Sequence, residues 1–139
     1  MLGAMIAASE HYQDISLVIP VPLHWRRKWK RGYNQAEVIA RETASRLGLK
    51  MRADILKRRR YTKTQTRLDV SSKTANVSGA FQINEKIQDE IMQICGNHIL
   101  IIDDVFTTGA TLHACFRALR EVLPQGVRIS VATLGFVGR

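Results

Sequence analysis

Asp103 and Asp104 stand side by side, and after Val105-Phe106 the chain reads Thr107-Thr108-Gly109-Ala110-Thr111. Those residue types at that spacing suit one kind of chemistry. Threonine hydroxyls and the amide N–H groups of a helix start can surround a phosphate, and the helix dipole favours an anion there. Gly109 lets the backbone turn sharply and come close to a ligand. The two carboxylates cannot face the same phosphate. They suit what lies beside it: sugar hydroxyls, for which they are acceptors, or a magnesium ion. Phosphate and sugar hydroxyls together describe a ribose 5-phosphate group. The other common phosphate loop, G-x-x-x-x-G-K-[ST], is absent.

The stretch from Ile99 to Thr111, ILIIDDVFTTGAT, resembles the phosphoribosyl-pyrophosphate (PRPP) loop of the type I phosphoribosyltransferases. That loop has an apolar strand, two acids, two variable positions and Thr-Thr/Ser-Gly-x-Thr. PRPP also bears a pyrophosphate on C1, and a second loop offers the opposite charge. His24 to Gln35 reads HWRRKWKRGYNQ. Here Arg31-Gly32, with Lys28 and Lys30 in support, is the candidate pyrophosphate site, Arg acting as a fork and Lys as a point charge. Trp25 and Trp29 read better as a packing pair than as a stacking surface.

These loops need elements to hold them. Ile99 to Ile102 lack polar alternation, as a strand buried on both faces does. Leu17 to Val21 are a second such run, closed by Pro20-x-Pro22. Each is followed by a loop and a helical pattern. One pattern spans 36–47, with Gly48 as its stop. The other places Leu112, Cys115, Phe116, Leu119 and Val122 on one face and stops at Pro124 and Gly126. Further expectations are a short helix over 2–12, an edge strand at Ile55-Leu56, a strand over 79–83, a helix over 85–94 and a last strand over 127–134. Segment 58–73 reads as a mobile basic loop. Arg58, Arg59, Arg60, Tyr61 and Lys63 fit either a lid over the pyrophosphate or a track for a nucleic-acid backbone.

The 139 residues suit a single α/β domain, 1–139, with a mostly parallel twisted sheet flanked by helices. Net charge is +9, and residues 24–73 hold sixteen of the 21 Lys and Arg against four acids. Such asymmetry implies an anionic partner: a pyrophosphate-bearing substrate, nucleic acid, or both. Membrane insertion is not expected, because no run approaches the length of a membrane helix. No basic region precedes the apolar opening residues, so no signal peptide is expected either. Cys95 and Cys115 lack metal-ligand spacing and read as reduced core residues of a cytoplasmic protein. His24, His98 and His113 read as surface or packed histidines. No acceptor-binding hood is evident after the last strand; Phe136 is the only aromatic available there, and it reads better as core.

Four segments together resemble the ComF/GntX family of type I phosphoribosyltransferase-like proteins. They are Val18 to Leu23; Arg31 to Gln35; Leu56-Lys57-Arg58 continuing to Gln65 and to Asn76 to Phe81; and Ile101 to Thr111. The resemblance implies the type I fold, a Mg²⁺ ion taken with PRPP, and a link to DNA uptake, competence or DNA utilisation, where a similar protein works beside a competence helicase. It implies Asp103 and Asp104 as catalytic residues, with Mg²⁺ held by substrate and by those acids. Two departures stand out. Family members usually begin with a four-cysteine zinc module and a further strand and helix, so a truncated chain or a short member is expected. The family often has Arg where this chain has Lys73. The leading expectation is phosphoribosyl transfer from PRPP, or binding of a ribose 5-phosphate nucleotide. The alternative is a catalytically inactive fold that senses nucleotide or binds single-stranded DNA or a partner of the uptake machinery. A homodimer is expected by analogy alone.

Overall fold

The apolar run Ile99 to Ile102 lies inside a parallel sheet in the computed structural model, which describes residues 2–23, 32–59 and 79–138. Lys28, Lys30, Arg31, Trp25, Trp29, Arg60, Tyr61 and Lys63 lie outside the described residues, as does most of segment 58–73.

Six strands are described: β1 (Leu17–Pro20), β2 (Lys50–Met51), β3 (Leu56–Arg58), β4 (Phe81–Ile83), β5 (His98–Phe106) and β6 (Arg128–Phe136). Four of them form one sheet in the order β2-β1-β5-β6, every pair parallel. β3 and β4 pair antiparallel as a separate ribbon. The α-helices are α1 (Leu2–Ala7), α2 (Gln35–Leu47), α3 (Ile91–Cys95) and α4 (Ala110–Val122).

The sheet is covered on both faces, which explains its unbroken apolar runs. Successive residues of a strand point to opposite faces. Leu17, Ile19, Ile99 and Ile101 pack with Leu112, Cys115 and Leu119 of α4, with Leu56 and Phe81 of the ribbon and with Ile55 just before it. Val18, Leu100 and Ile102 pack on the other face with Ile6 of α1 and Ala40 and Ala44 of α2. Ile99 to Ile102 are wholly inaccessible to solvent. Burial of each such side chain stabilises the fold by about 2 kcal/mol.

Helix boundaries follow local signals. The Asn34 side chain accepts a hydrogen bond from Ala36 N–H at 3.1 Å and opens α2. Gly48 closes it in the left-handed conformation at φ 67°. Several expected bounds differ. The segment 2–12 is α1 followed by a single 3₁₀ turn at Glu10–Tyr12. The segment 85–94 divides into a 3₁₀ turn, Glu85–Ile87, and α3. β5 runs four residues past Ile102, and β3 extends through Arg58, at the start of the expected loop. Cys95 and Cys115 are free and buried, as expected.

Candidate functional site

β1 is flanked by β2 on one side and β5 on the other, so the sheet changes direction between β1 and β5. Ligands of open α/β sheets bind in the crevice at the carboxyl ends of strands at such a point. A cleft of about 220 Å³ opens there. Asp103, Asp104, Thr107 and Thr111 come to it from β5 and its exit, Val21 to Leu23 from the exit of β1, and Arg58 from the end of β3.

Both carboxylates lie within β5 and are partly buried. Backbone amides hold them. Asp104 N–H donates to Asp103 Oδ1 at 2.9 Å, and Val105 N–H donates to Asp104 Oδ1 at 2.8 Å. Burial pushes the Asp103 carboxyl up from its ordinary 3.8 to about 6. The neighbouring Asp104 carboxylate adds to that rise, while the Asp104 amide and the Arg58 charge oppose it. Arg58 lies with its guanidinium 5.0 Å from the centroid of the Phe81 ring. The cleft therefore holds an acid pair with a cation on its wall.

The turn after β5 has the geometry its residues suggest. Gly109 is the N-cap of α4 at φ 81°, a conformation open to glycine at little cost. A Cβ there would sit 3.0 Å from the Phe106 ring. Thr108 Oγ1 accepts from Ala110 N–H at 3.3 Å, and Ala110 and Thr111 begin the helix. The first amides of any helix lack partners within it. Thr107 and Thr111 border the cleft beside them. Hydroxyls, helix amides and two carboxylates are thus gathered at one strand end, and they can bind a phosphate joined to a polyol.

Gly32 is described, at φ 77°, and the other three candidate pyrophosphate residues lie outside the described residues. Arg59 is drawn to the ribbon: its amide donates to Ala80 O at 2.7 Å and its Nε to Gln82 Oε1 at 3.1 Å. It does not border the cleft as Arg58 does.

Two cleft residues escaped the residue-by-residue reading. Asn34 and Gln35 border the cleft at the start of α2. Asn34 Nδ2 also donates to Val21 O at 3.0 Å, tying the helix to the exit of β1. The signal was present: a capping residue directly follows the Arg31-Gly32-Tyr33 turn. Phe136 is a correction. It was expected in the core, but it is 71% exposed, because β6 carries it beyond the buried part of the sheet.

The phosphoribosyl transferase domain family matches residues 34–135. Competence protein F of Haemophilus influenzae is 30% identical over 112 residues, which is 81% of this chain and 47% of that protein. DNA utilization protein YhgH of Salmonella typhi is 35% identical over 95 residues, 68% of this chain and 39% of that protein. Competence protein ComFC of Bacillus subtilis is 33% identical over 133 residues, 93% of this chain and 48% of that protein. The chain spans less than half the length of each of these relatives. No helix among the described residues is long and apolar enough to cross a membrane.

Proposed function

The chain belongs to the phosphoribosyl transferase domain family, among its ComF-like members, and from that premise we propose that it binds PRPP and transfers the phosphoribosyl group to an acceptor. The observation that carries this reading is the meeting of Asp103, Asp104, Thr107 and Thr111 in one cleft at the turning point of the sheet. The 5-phosphate sits on the amides and hydroxyls of Thr107 to Thr111. The ribose hydroxyls donate to Asp103 and Asp104. The pyrophosphate is assigned by residue type to Arg31-Gly32, Lys28 and Lys30, and Arg58 borders the same cleft as the acid pair.

Transfer breaks the bond from C1 to the pyrophosphate oxygen, and its electron pair leaves with pyrophosphate. A lone pair of the acceptor forms the new bond to C1, and the acceptor's proton passes to solvent. The ribose is cationic in between, and the acid pair stabilises that charge. Anchoring of the 5-phosphate orients the reacting end. Asp103 and Asp104 would hold a magnesium ion together with the substrate. Magnesium, when bound with PRPP, supplies charge neutralisation of the leaving pyrophosphate.

Calorimetry with PRPP and Mg²⁺ tests the reading. Binding is expected for the natural chain and lost in the double variant Asp103→Asn, Asp104→Asn. Equal binding by the two would sink the site assignment.

A second reading rests on the sixteen cations of residues 24–73. They suit single-stranded DNA, and the relatives are named for competence and DNA utilization. Phosphate-backbone binding weakens steeply with salt. Oligonucleotide affinity should fall between low and high salt and again on neutralising Arg58, Arg59 and Arg60. A flat response would remove this reading. We place either activity in the cytoplasm.

A further inference from the structure

Asn34 does more than open α2. Three hydrogen bonds run in series beside the cleft, and Asn34 makes two of them. Val21 N–H donates to Ile102 O at 2.9 Å, which ties the exit of β1 to the residue before Asp103. Val21 O accepts from Asn34 Nδ2 at 3.0 Å, and Asn34 Oδ1 accepts from Ala36 N–H at 3.1 Å. The strand that carries the acid pair is thereby joined, through Val21 and Asn34, to the first turn of α2. Val21, Pro22, Leu23, Asn34 and Gln35 border the same cleft as Asp103 and Asp104.

A helix start alone does not call for this residue. Ser, Thr and Asp cap about as well as Asn, because a cap needs only the acceptor. The amide of Asn has two ends and donates as well. An Asp carboxylate would set an acceptor against the Val21 carbonyl. Ser and Thr carry one oxygen in place of the two-ended amide, so serving Ala36 N–H takes it away from Val21 O. Asn84 is built the same way as Asn34. Its Oδ1 accepts from Lys86 N–H at 3.2 Å and its Nδ2 donates to Asp54 O at 2.9 Å. The two are 9% and 7% exposed, so a lost partner strands a buried polar group equally at either place. Asn84 does not border the cleft. The pair therefore separates what such a bond contributes to folding from what it contributes at the cleft.

We propose that Asn34 is a positioning residue for the pyrophosphate end of PRPP: it fixes the cleft wall of Val21 to Leu23 and Gln35 relative to Asp103 and Asp104, and touches no reacting atom itself. This rests on the PRPP reading, because the stretch that Asn34 ends is the one assigned to pyrophosphate. The 5-phosphate is assigned to Thr107 to Thr111, at the exit of β5 and the start of α4, and the ribose to the acid pair on β5. Those contacts do not run through Asn34. Loss of its donor should therefore be felt at one end of the ligand only. A hydrogen bond of this kind changes an equilibrium by about 2- to 12-fold.

The experiment is calorimetry with ribose 5-phosphate and with PRPP and Mg²⁺, on the natural chain, Asn34→Ser, Asn34→Thr and Asn84→Ser, with a thermal melt of each. Asn34→Ser keeps the cap and loses the donor to Val21. Its PRPP affinity should fall about 5-fold or more, with ribose 5-phosphate affinity unchanged. Asn34→Thr, which also caps, should show the same split. Asn84→Ser should lower the melting temperature to a similar degree and leave both affinities alone. Equal loss of both ligands in the Asn34 variants, or loss of neither, overturns the positioning role while leaving the PRPP reading intact. A selective loss of PRPP in Asn84→Ser does the same. A natural chain that binds neither ligand overturns the PRPP reading, and this inference with it.

Discussion

Asp104 N–H donates to Asp103 Oδ1 at 2.9 Å, and Val105 N–H to Asp104 Oδ1 at 2.8 Å, so each carboxylate is fixed by the amide of the residue that follows it. Burial of this acid pair sets two opposite pH dependences. Asp103 has its carboxyl pushed up to about 6, chiefly by burial. A raised acid binds more protons folded than unfolded. It therefore lowers stability as pH rises from about 4 through about 6, by an amount on the order of 2 kcal/mol. Asp103→Asn should raise the melting temperature at pH 8 and have little effect at pH 4. Ligand binding should run the other way: in the proposed function PRPP with Mg²⁺ meets the ionised acids, and affinity should fall as pH drops through about 6. Thermal melts and calorimetry across pH 4 to 8 measure both slopes. Destabilisation by Asp103→Asn at pH 8 would contradict the burial argument.

Gly109 and Gly48 form a matched pair for the phosphate turn. Both have positive φ, 81° and 67°. A Cβ at Gly48 meets nothing within 4 Å, whereas at Gly109 it meets the Phe106 ring at 3.0 Å. Gly48→Ala should cost about 1 kcal/mol, from backbone conformation alone, and leave ligand affinity unchanged. Gly109→Ala should cost more and should weaken ribose 5-phosphate binding as well. Denaturant melts and calorimetry on the two variants separate these effects. Equal losses in both would mean that Phe106 yields freely.

The two strand–loop–helix units were legible because burial on both faces leaves runs such as Ile99 to Ile102 with no polar interruption. The acid pair and threonine turn were legible as a candidate site because their residue types and spacing alone suit a phosphate and its neighbouring hydroxyls, and Asp103, Asp104, Thr107 and Thr111 do meet in one cleft. β2 escaped notice, since two residues, Lys50–Met51, show no period. The helix expected over 85–94 is two short pieces for a related reason. Ile87 and Ile91 are spaced as on one helix face, and both enter the same core, but successive turns satisfy that spacing equally well. Arg58 was assigned to a lid or a nucleic-acid track from the charge and length of its loop. Its place on the cleft wall depends on β3 pairing with β4 across 22 intervening residues, 59–80, and no local pattern reveals that.

At the amino-terminal end of the sheet, His98 is fully buried between two partners. Nδ1 lies 2.8 Å from Asp14 Oδ1, and Nε2 lies 2.8 Å from Ser130 Oγ. This packed histidine joins the segment before β1 to β5 and β6. His98→Ala should destabilise the chain by about 2 kcal/mol or more, since it opens a cavity and strands buried polar groups. The hydrogen bond to His98 holds the Asp14 carboxyl below its ordinary value, with Arg128 adding to the effect. A depressed acid contributes stability above its unfolded value and loses it as pH falls through the folded one. The gap in melting temperature between the natural chain and Asp14→Asn should therefore begin to narrow as pH falls below about 4 and go on narrowing through the lower folded value. A gap that does not narrow at all in acid would show that the pair acts through shape and not charge.

Arg58 stands with its guanidinium over Phe81 and its charge felt at Asp103, where it opposes the rise that burial causes. Removing that charge should therefore raise the Asp103 value further above about 6. Carbon-13 NMR of the aspartate carboxyls reads this directly and needs no ligand. In Arg58→Gln the Asp103 midpoint should move upward, and in Arg58→Lys it should move less, because the charge is kept. Arg59→Gln is the control. Its guanidinium is occupied with Gln82 on the ribbon and does not border the cleft, so the midpoint should stay put. The consequence for binding follows from the same geometry. With Asp103 protonated at higher pH, the affinity for PRPP with Mg²⁺ should fall in Arg58→Gln at pH 6 to 7, and part of that loss should return at pH 9. A loss independent of pH would mean that Arg58 acts on the pyrophosphate alone. An unchanged Asp103 midpoint would mean that the cation does not govern the acid pair.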